Sequence, residues 1–126
     1  MTWQDYVDKC LIGSRKVSKA SIFSPSGALW ATSSNFNITY SEIKNLIQGF
    51  NDPAELRQYG LFLDHHKYLI LRADDRSIYA KKDKGGVVAV KTGKAVLVCD
   101  YDDTIQPGSC SKLVEQLADY LIEMGF

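Results

Sequence analysis

Ala95-Val96-Leu97-Val98-Cys99 is apolar at every position, with no alternation. A strand with one wet face alternates apolar and polar residues, so a continuous run belongs to a central strand covered on both faces. That asks for a sheet with helices on each side. Upstream, further strand-like runs follow at short, regular spacing, over residues 61–63, 68–73, 77–81 and 87–92. Their separators are His65-His66, Asp74-Asp75-Arg76, Asp83-Lys84-Gly85-Gly86 and Gly93-Lys94, each short enough for a hairpin. The spacing predicts an antiparallel meander ending in the 95–99 strand.

Before the meander, residues 17–23 and 28–32 read as two strands turned by Ser24-Pro25-Ser26-Gly27, with Trp30 facing opposite to Leu29 and Ala31. Thr39-Tyr40-Ser41-Glu42 has the form of a capping box, opening a short helix through Ile43, Leu46 and Ile47. Asp52-Pro53 predicts a second start, with Asp as N-cap and Pro at the first helical position, and Gly60 ends that helix.

Both ends of the chain are amphipathic. Over residues 112–124, at about 100° per residue, Leu113, Val114, Leu117, Ala118, Leu121 and Ile122 fill one arc and Lys112, Glu115, Gln116, Asp119 and Glu123 the other. Tyr120 falls at the margin, Gly125 is a C-cap, and the terminal Phe126 is expected to be docked. At the other end Thr2 caps a helix on which Trp3, Val7, Cys10 and Leu11 share a face, with Tyr6 at its edge. The predicted fold is α+β: a central antiparallel sheet, the terminal helices on one face and the two shorter helices on the other, in one domain spanning residues 1–126. If the terminal helices lie side by side, Trp3, Tyr6, Tyr120 and Phe126 meet in one patch.

Fifteen basic residues balance fifteen acidic ones, so no global field draws the chain to nucleic acid or to an anionic membrane, and such binding needs a local patch. Three cysteines without CxxC spacing predict neither a disulfide framework nor a zinc knuckle. With no signal-peptide pattern, the expected location is the cytosol. His65-His66 beside Asp64 and the run Asp100-Tyr101-Asp102-Asp103 lack the spacing of a metal site, so no metal or cofactor is expected. No nucleophile–base pairing or phosphate loop is present, which argues against an enzyme.

Two constellations remain. The basic run Arg72, Arg76, Lys81, Lys82, Lys84 and Lys91 reads either as ordinary solvent-facing cations or as a patch for a partner. Aromatics on terminal helices usually belong to the core. Yet Trp3 and Trp30 are the only tryptophans, and open rings with N–H and O–H donors suit a polyproline II helix, which presents ring faces and bare carbonyls. A different class of function, a small-molecule-sensing or regulatory module on a similar helix-flanked sheet, calls instead for an enclosed apolar pocket.

Trp3-Gln4-Asp5-Tyr6-Val7-Asp8, Leu29-Trp30-Ala31, Arg72-Ala73-Asp74-Asp75-Arg76-Ser77-Ile78-Tyr79 and Leu117-Ala118-Asp119-Tyr120-Leu121-Ile122 together, in this order, resemble profilin, of the shorter kind found in amoebae, fungi and plants. The resemblance covers essentially the whole chain. It implies a cytosolic, cytoskeleton-associated protein that binds monomeric actin, speeds its nucleotide exchange and restrains its nucleation. It also implies a groove for the proline-rich segments of formins and related factors. By matching positions the groove is Trp3, Tyr6, Trp30, Tyr120, Leu121 and Phe126, with the Trp3 Nε1–H donating to a ligand carbonyl. The implied actin side is Arg72, Lys81, Lys82, Gly108, Lys112 and Gln116. The implied phosphoinositide surface overlaps it at Arg72, Arg76, Lys81 and Lys82. Three positions depart from the pattern: Phe126 where many relatives end in Tyr, Ala80 where Gly is usual, and the acidic Asp102-Asp103 near the implied actin edge.

Overall fold

The computed structural model describes residues 1–126. Its strands are β1 (Lys19–Phe23), β2 (Leu29–Thr32), β3 (Leu61–Leu63), β4 (His66–Ala73), β5 (Ser77–Lys82), β6 (Gly85–Lys91) and β7 (Val96–Tyr101). They form one sheet in the order β2-β1-β7-β6-β5-β4-β3, with every neighbouring pair antiparallel. β3 to β7 are the expected meander. The β1–β2 hairpin attaches to its far side, with Ala20 opposite Cys99 and Ile22 opposite Leu97. β7 is thereby interior, as its unbroken apolar run requires.

Four α-helices flank the sheet. α1 (Trp3–Asp5) continues as a π-helical stretch (Tyr6–Leu11) and a 3-10 turn (Ile12–Ser14), and α2 (Tyr40–Asn51) and α3 (Ala54–Tyr59) lie between β2 and β3. α4 is Pro107–Glu123, starting five residues before the apolar arc suggests, because Pro107 occupies the start of the helix, where its missing N–H costs nothing. One core layer joins Tyr6, Val7 and Leu11 to Val114, Leu117, Ala118 and Leu121 over Ile22, Val90, Leu97 and Cys99. The other joins Ile43, Leu46, Phe50 and Leu56 to the opposite side chains, Ile78, Ala80, Val87, Val96 and Val98. The terminal helices therefore share one face and the middle helices the other. Each fully buried Leu or Ile contributes roughly 2 kcal/mol by leaving water.

The predicted caps form. Thr2 Oγ1 accepts from Asp5 N–H at 3.1 Å, and the Asp5 carboxylate accepts from Thr2 N–H at 3.0 Å. Thr39 and Glu42 make the same reciprocal pair at 3.2 and 2.9 Å. Glu42 reaches further, accepting from Asp64 N–H at 2.8 Å and His65 N–H at 2.9 Å. Those two residues have φ of +51° and +63°, and this tight two-residue turn starts β4 at His66, two residues earlier than its apolar pattern. At α3, Asp52 Oδ1 accepts from Ala54 N–H at 3.1 Å, while Pro53 precedes the first helical residue, one position before the expected register.

Two expectations change. Trp30 does not face away from both neighbours. The β1–β2 register runs Ile22 to Ala31 and Phe23 to Leu29, so Trp30 is the extra residue of a β-bulge. Ile122 is exposed although it belongs to the apolar arc, because the sheet reaches only the narrower stripe of Val114, Leu117, Ala118 and Leu121. Ala80 pairs regularly with Val87 of β6, its methyl buried, while on its other side the β4 register shifts between its partner Ile70 and Arg72.

Candidate functional site

The bulge turns the Trp30 ring towards the first helix. There it stacks on Trp3, with centroids 4.9 Å apart and planes inclined by 30°. Trp3 also meets Phe126 edge-on at 5.2 Å and 73°, and Tyr6 at 5.7 Å. The Gln4 amide sets this arrangement by pairing with the edge strand, donating to Thr32 O at 2.9 Å and accepting from Thr32 N–H at 3.4 Å. Trp30, Tyr120 and Phe126 keep 39%, 46% and 38% of their surface exposed, and Trp3 is half-buried. The result is an open aromatic surface where the terminal helices meet the edge of the sheet.

Phe126 is docked, as its apolar character predicts. Its backbone oxygen accepts from Thr92 Oγ1 at 2.9 Å and from Lys94 N–H, and its N–H donates to Leu121 O at 2.8 Å. Gly125, at φ +95°, makes the reversal that brings this about. Two residues expected in the groove lie deeper. Tyr6 is buried, and burial, then the neighbouring Tyr120 phenol, push its hydroxyl above the ordinary tyrosine value. Leu121 is fully buried and offers a ligand no surface; it points into the core because it lies at the centre of the apolar stripe.

The basic residues divide. Ser77 and Tyr79 of β5 donate to the Glu115 carboxylate of α4, whereas Ile78 and Ala80 pack against the α2–α3 layer. Strand alternation then puts Lys81 on the α4 side and Lys82 on the other, where its ammonium lies over the Tyr68 ring at 5.6 Å. Lys81 and Lys82, expected on one surface, are on opposite faces. Arg72 stands opposite Tyr79, so it shares the Lys81 side, lying over the Tyr79 ring at 5.3 Å and bonding Asp74 at 3.0 and 3.2 Å.

Arg76, expected to meet an anionic headgroup, is already paired. It donates to Glu115 and Asp119 of α4 at 3.1 and 2.8 Å, which neutralises its charge. Burial, then the Glu115 contact, raise the Tyr79 hydroxyl to about 12.

α4 covers β6, β7 and, through Glu115, the start of β5, leaving the same face of β3, β4 and the far end of β5 open. There Phe62 stands opposite Lys67 and Leu69 opposite Lys81; Leu71 is the extra residue of a second bulge, between Ile70 and Arg72. Phe62, Leu69 and Leu71 are all exposed. They are the residues that sequence reasoning missed, since an apolar residue in a strand reads as core until the extent of the covering helix is known. Gly108, Lys112 and Gln116 follow one another at intervals of four along the outer side of α4, lining a shallow hollow with Lys16 and Leu113.

Away from these surfaces, a hollow of about 420 Å³ between the β5–β6 turn and the loop after β7 is lined by Lys19, Lys82, Lys84, Asp100 and other polar groups, with one apolar residue. Asp102, of the acidic pair, uses its carboxylate within that loop, accepting from Thr104 N–H at 2.9 Å. The three cysteines carry free thiols, and no helix is long and apolar enough to cross a membrane.

This arrangement has close counterparts. The chain is 50% identical over 123 residues to profilin of Saccharomyces cerevisiae, covering 97% of each chain, and 48% identical over 126 residues to profilin-A of Physarum polycephalum, covering all of both. The solved structure of Acanthamoeba castellanii profilin IB matches with a TM-score of 0.97 at 47% identity, over 99% of this chain and 100% of that one. Mouse profilin IIa, solved in complex with a double repeat from the FH1 domain of mDia1, shares the fold at a TM-score of 0.81 and 22% identity, over all of both chains. A family model described as Profilin matches residues 1–126. A family model over every residue, with relatives about half identical along the whole chain, makes the chain a member of the profilin family.

Proposed function

We propose that this chain is a single-domain, non-enzymatic adaptor of the cytosol and cytoskeleton that binds monomeric actin on one surface and proline-rich segments on another. Binding regulates actin polymerisation and nucleotide exchange. The observation that carries the reading is the Trp3–Trp30 stack, flanked by Phe126 and Tyr120 and left open to water. A sealed core has no need of indoles at its rim, whereas a polyproline II helix needs flat rings and donors. The FH1 repeat bound to mouse profilin IIa supports formin-type segments as the partner class.

The actin surface in this reading is the open face of β3, β4 and the far end of β5, with Phe62, Leu69 and Leu71 as apolar anchors and Arg72 and Lys81 as cations, continued by Gly108, Lys112 and Gln116 on α4. Exposed apolar residues ringed by charge suit a protein partner. Phosphoinositide headgroups, a secondary ligand, meet Arg72 and Lys81 on the same face, so lipid and actin compete. Lys82 lies on the other face, and Arg76 is held by carboxylates. A small-molecule module would need an enclosed apolar pocket; the side chains facing the two core layers are instead buried against one another. An actin-polymerisation assay with and without a proline-rich peptide tests the proposal. Unchanged assembly kinetics, together with no peptide binding, would overturn it.

A further inference from the structure

Arg76 follows β4 on the loop to β5 and reaches across to α4 with three hydrogen bonds. Nε donates to Glu115 Oε1 at 3.1 Å, and Nη2 donates to the Glu115 backbone oxygen at 3.2 Å and to Asp119 Oδ1 at 2.8 Å. The second Glu115 carboxylate oxygen accepts from Ser77 Oγ at 2.7 Å and from the Tyr79 hydroxyl. The planar guanidinium fork fixes direction as well as distance, which an ammonium cannot do. Asp74 holds the loop itself, accepting from Arg76 N–H at 2.9 Å and Ser77 N–H at 2.8 Å.

The other polar tie between this end of the chain and the sheet is at Phe126, bound to Thr92 and Lys94. Between the two ties, α4 rests on the sheet through Val114, Leu117, Ala118 and Leu121. Apolar burial resists separation of helix and sheet, but being non-directional it fixes the roll of the helix less sharply than aimed hydrogen bonds do. Glu115 and Tyr120 are five residues apart, about 140° around the helix. The clamp therefore holds the β5 flank while Tyr120 points to the opposite flank, beside Tyr6 of the first helix. A roll of about 10° moves a side-chain tip by about 1 Å, beyond the roughly 0.5 Å that an organised binding site tolerates.

We propose that Arg76 is a positioning residue for the aromatic groove: its fork on Glu115 and Asp119 sets the roll of α4, and with it the place of Tyr120 relative to Trp3 and Trp30. The side-chain hydrogen bonds of Arg76 run only to Glu115 and Asp119, neither of them a groove residue. The inference rests on the groove reading given above.

The test is titration of the full chain with a deca-proline peptide, followed by tryptophan fluorescence well below each variant's unfolding midpoint. Arg76→Leu and Asp119→Asn each weaken binding about three- to tenfold, and the double variant loses no more than the larger single change, because both remove one shared interaction. Arg76→Lys, which keeps the charge but not the fork, falls between Arg76→Leu and the unaltered protein. A role in stability alone would shift the midpoints and leave the affinity of the folded protein unchanged. Trp3→Ala runs alongside. If it leaves binding intact, the groove reading falls; if it abolishes binding while Arg76→Leu and Asp119→Asn stay within about twofold of the unaltered protein, or their losses add, the positioning role falls.

Discussion

Trp3 opens the first helix and Trp30 stands on the edge strand of the sheet, yet their rings stack at 4.9 Å. Two devices bring them together: the bulge at Trp30, and the Gln4 amide paired with the backbone of Thr32. Each indole presents one face to its partner, so the pair acts as a single platform.

Removing either half of that platform should remove the function of the whole. Trp3→Ala is expected to abolish deca-proline binding, a loss exceeding about 2 kcal/mol, as for aromatic anchors at interface centres. Trp30→Ala should weaken it strongly, and the two changes should be non-additive. Actin-monomer binding should persist in both. Tryptophan fluorescence on peptide titration, beside actin assembly kinetics, checks this; peptide binding retained by Trp3→Ala would remove the platform from the site.

Phe126 contacts Trp3 edge-on but has no hydroxyl to offer a ligand carbonyl. Phe126→Tyr should add one hydrogen bond and strengthen peptide binding by about 1 kcal/mol, or roughly fivefold. The docking through Thr92 and Lys94 uses only the backbone of residue 126, so the unfolding midpoint should barely move. Calorimetric titration reads the change directly.

Lys81 and Lys82 are adjacent in sequence and on opposite faces of β5. Lys81→Glu and Arg72→Glu should each weaken actin-monomer binding by at least about tenfold at modest salt, since charge reversal beside a partner adds repulsion to the lost attraction. Lys82→Glu should have a much smaller effect. Co-sedimentation and pyrene-actin assembly distinguish them, with circular dichroism as the check on folding. Equal losses at Lys81 and Lys82 would count against the assigned face.

Glu42 ties the start of α2 to the β3–β4 turn through three backbone N–H groups. Burial opposes its charge, but the donors at Thr39, His65 and Asp64 outweigh burial and hold its pKa below the ordinary value. Because the folded pKa is the lower one, the stabilisation is complete above the range where an unfolded glutamate titrates, about 4.3, and is lost as pH falls through the folded value. Glu42→Gln should cost about 1–3 kcal/mol at neutral pH and flatten the acid limb of stability against pH. Urea unfolding across that range measures both.

Much of this molecule is legible one residue at a time. The central strand followed from five unalternated apolar residues, the caps at Thr2 and Thr39 from residue type and spacing, and the docked end from an apolar Phe126. Other features were not. The helix wheel put both Leu121 and Ile122 on the buried arc; Leu121 is buried there and Ile122 is exposed, because a helix wheel gives the direction of a side chain but not the width of what it rests on.

Apolar periodicity, turn chemistry and cap residues established the helices, the meander and their layering, since each depends on backbone geometry within a few residues. The tertiary structure alone decided which ring meets which, which face of β5 each lysine takes, and that Arg76 faces two carboxylates. Bulges at Trp30 and Leu71 shift the register of their strands, and a bulge exists only where a partner strand pairs two residues against one. The reach of α4 over β7, β6 and the start of β5 likewise separates the buried sheet from the open one, and no single stretch of sequence contains both the helix and the surface it leaves bare.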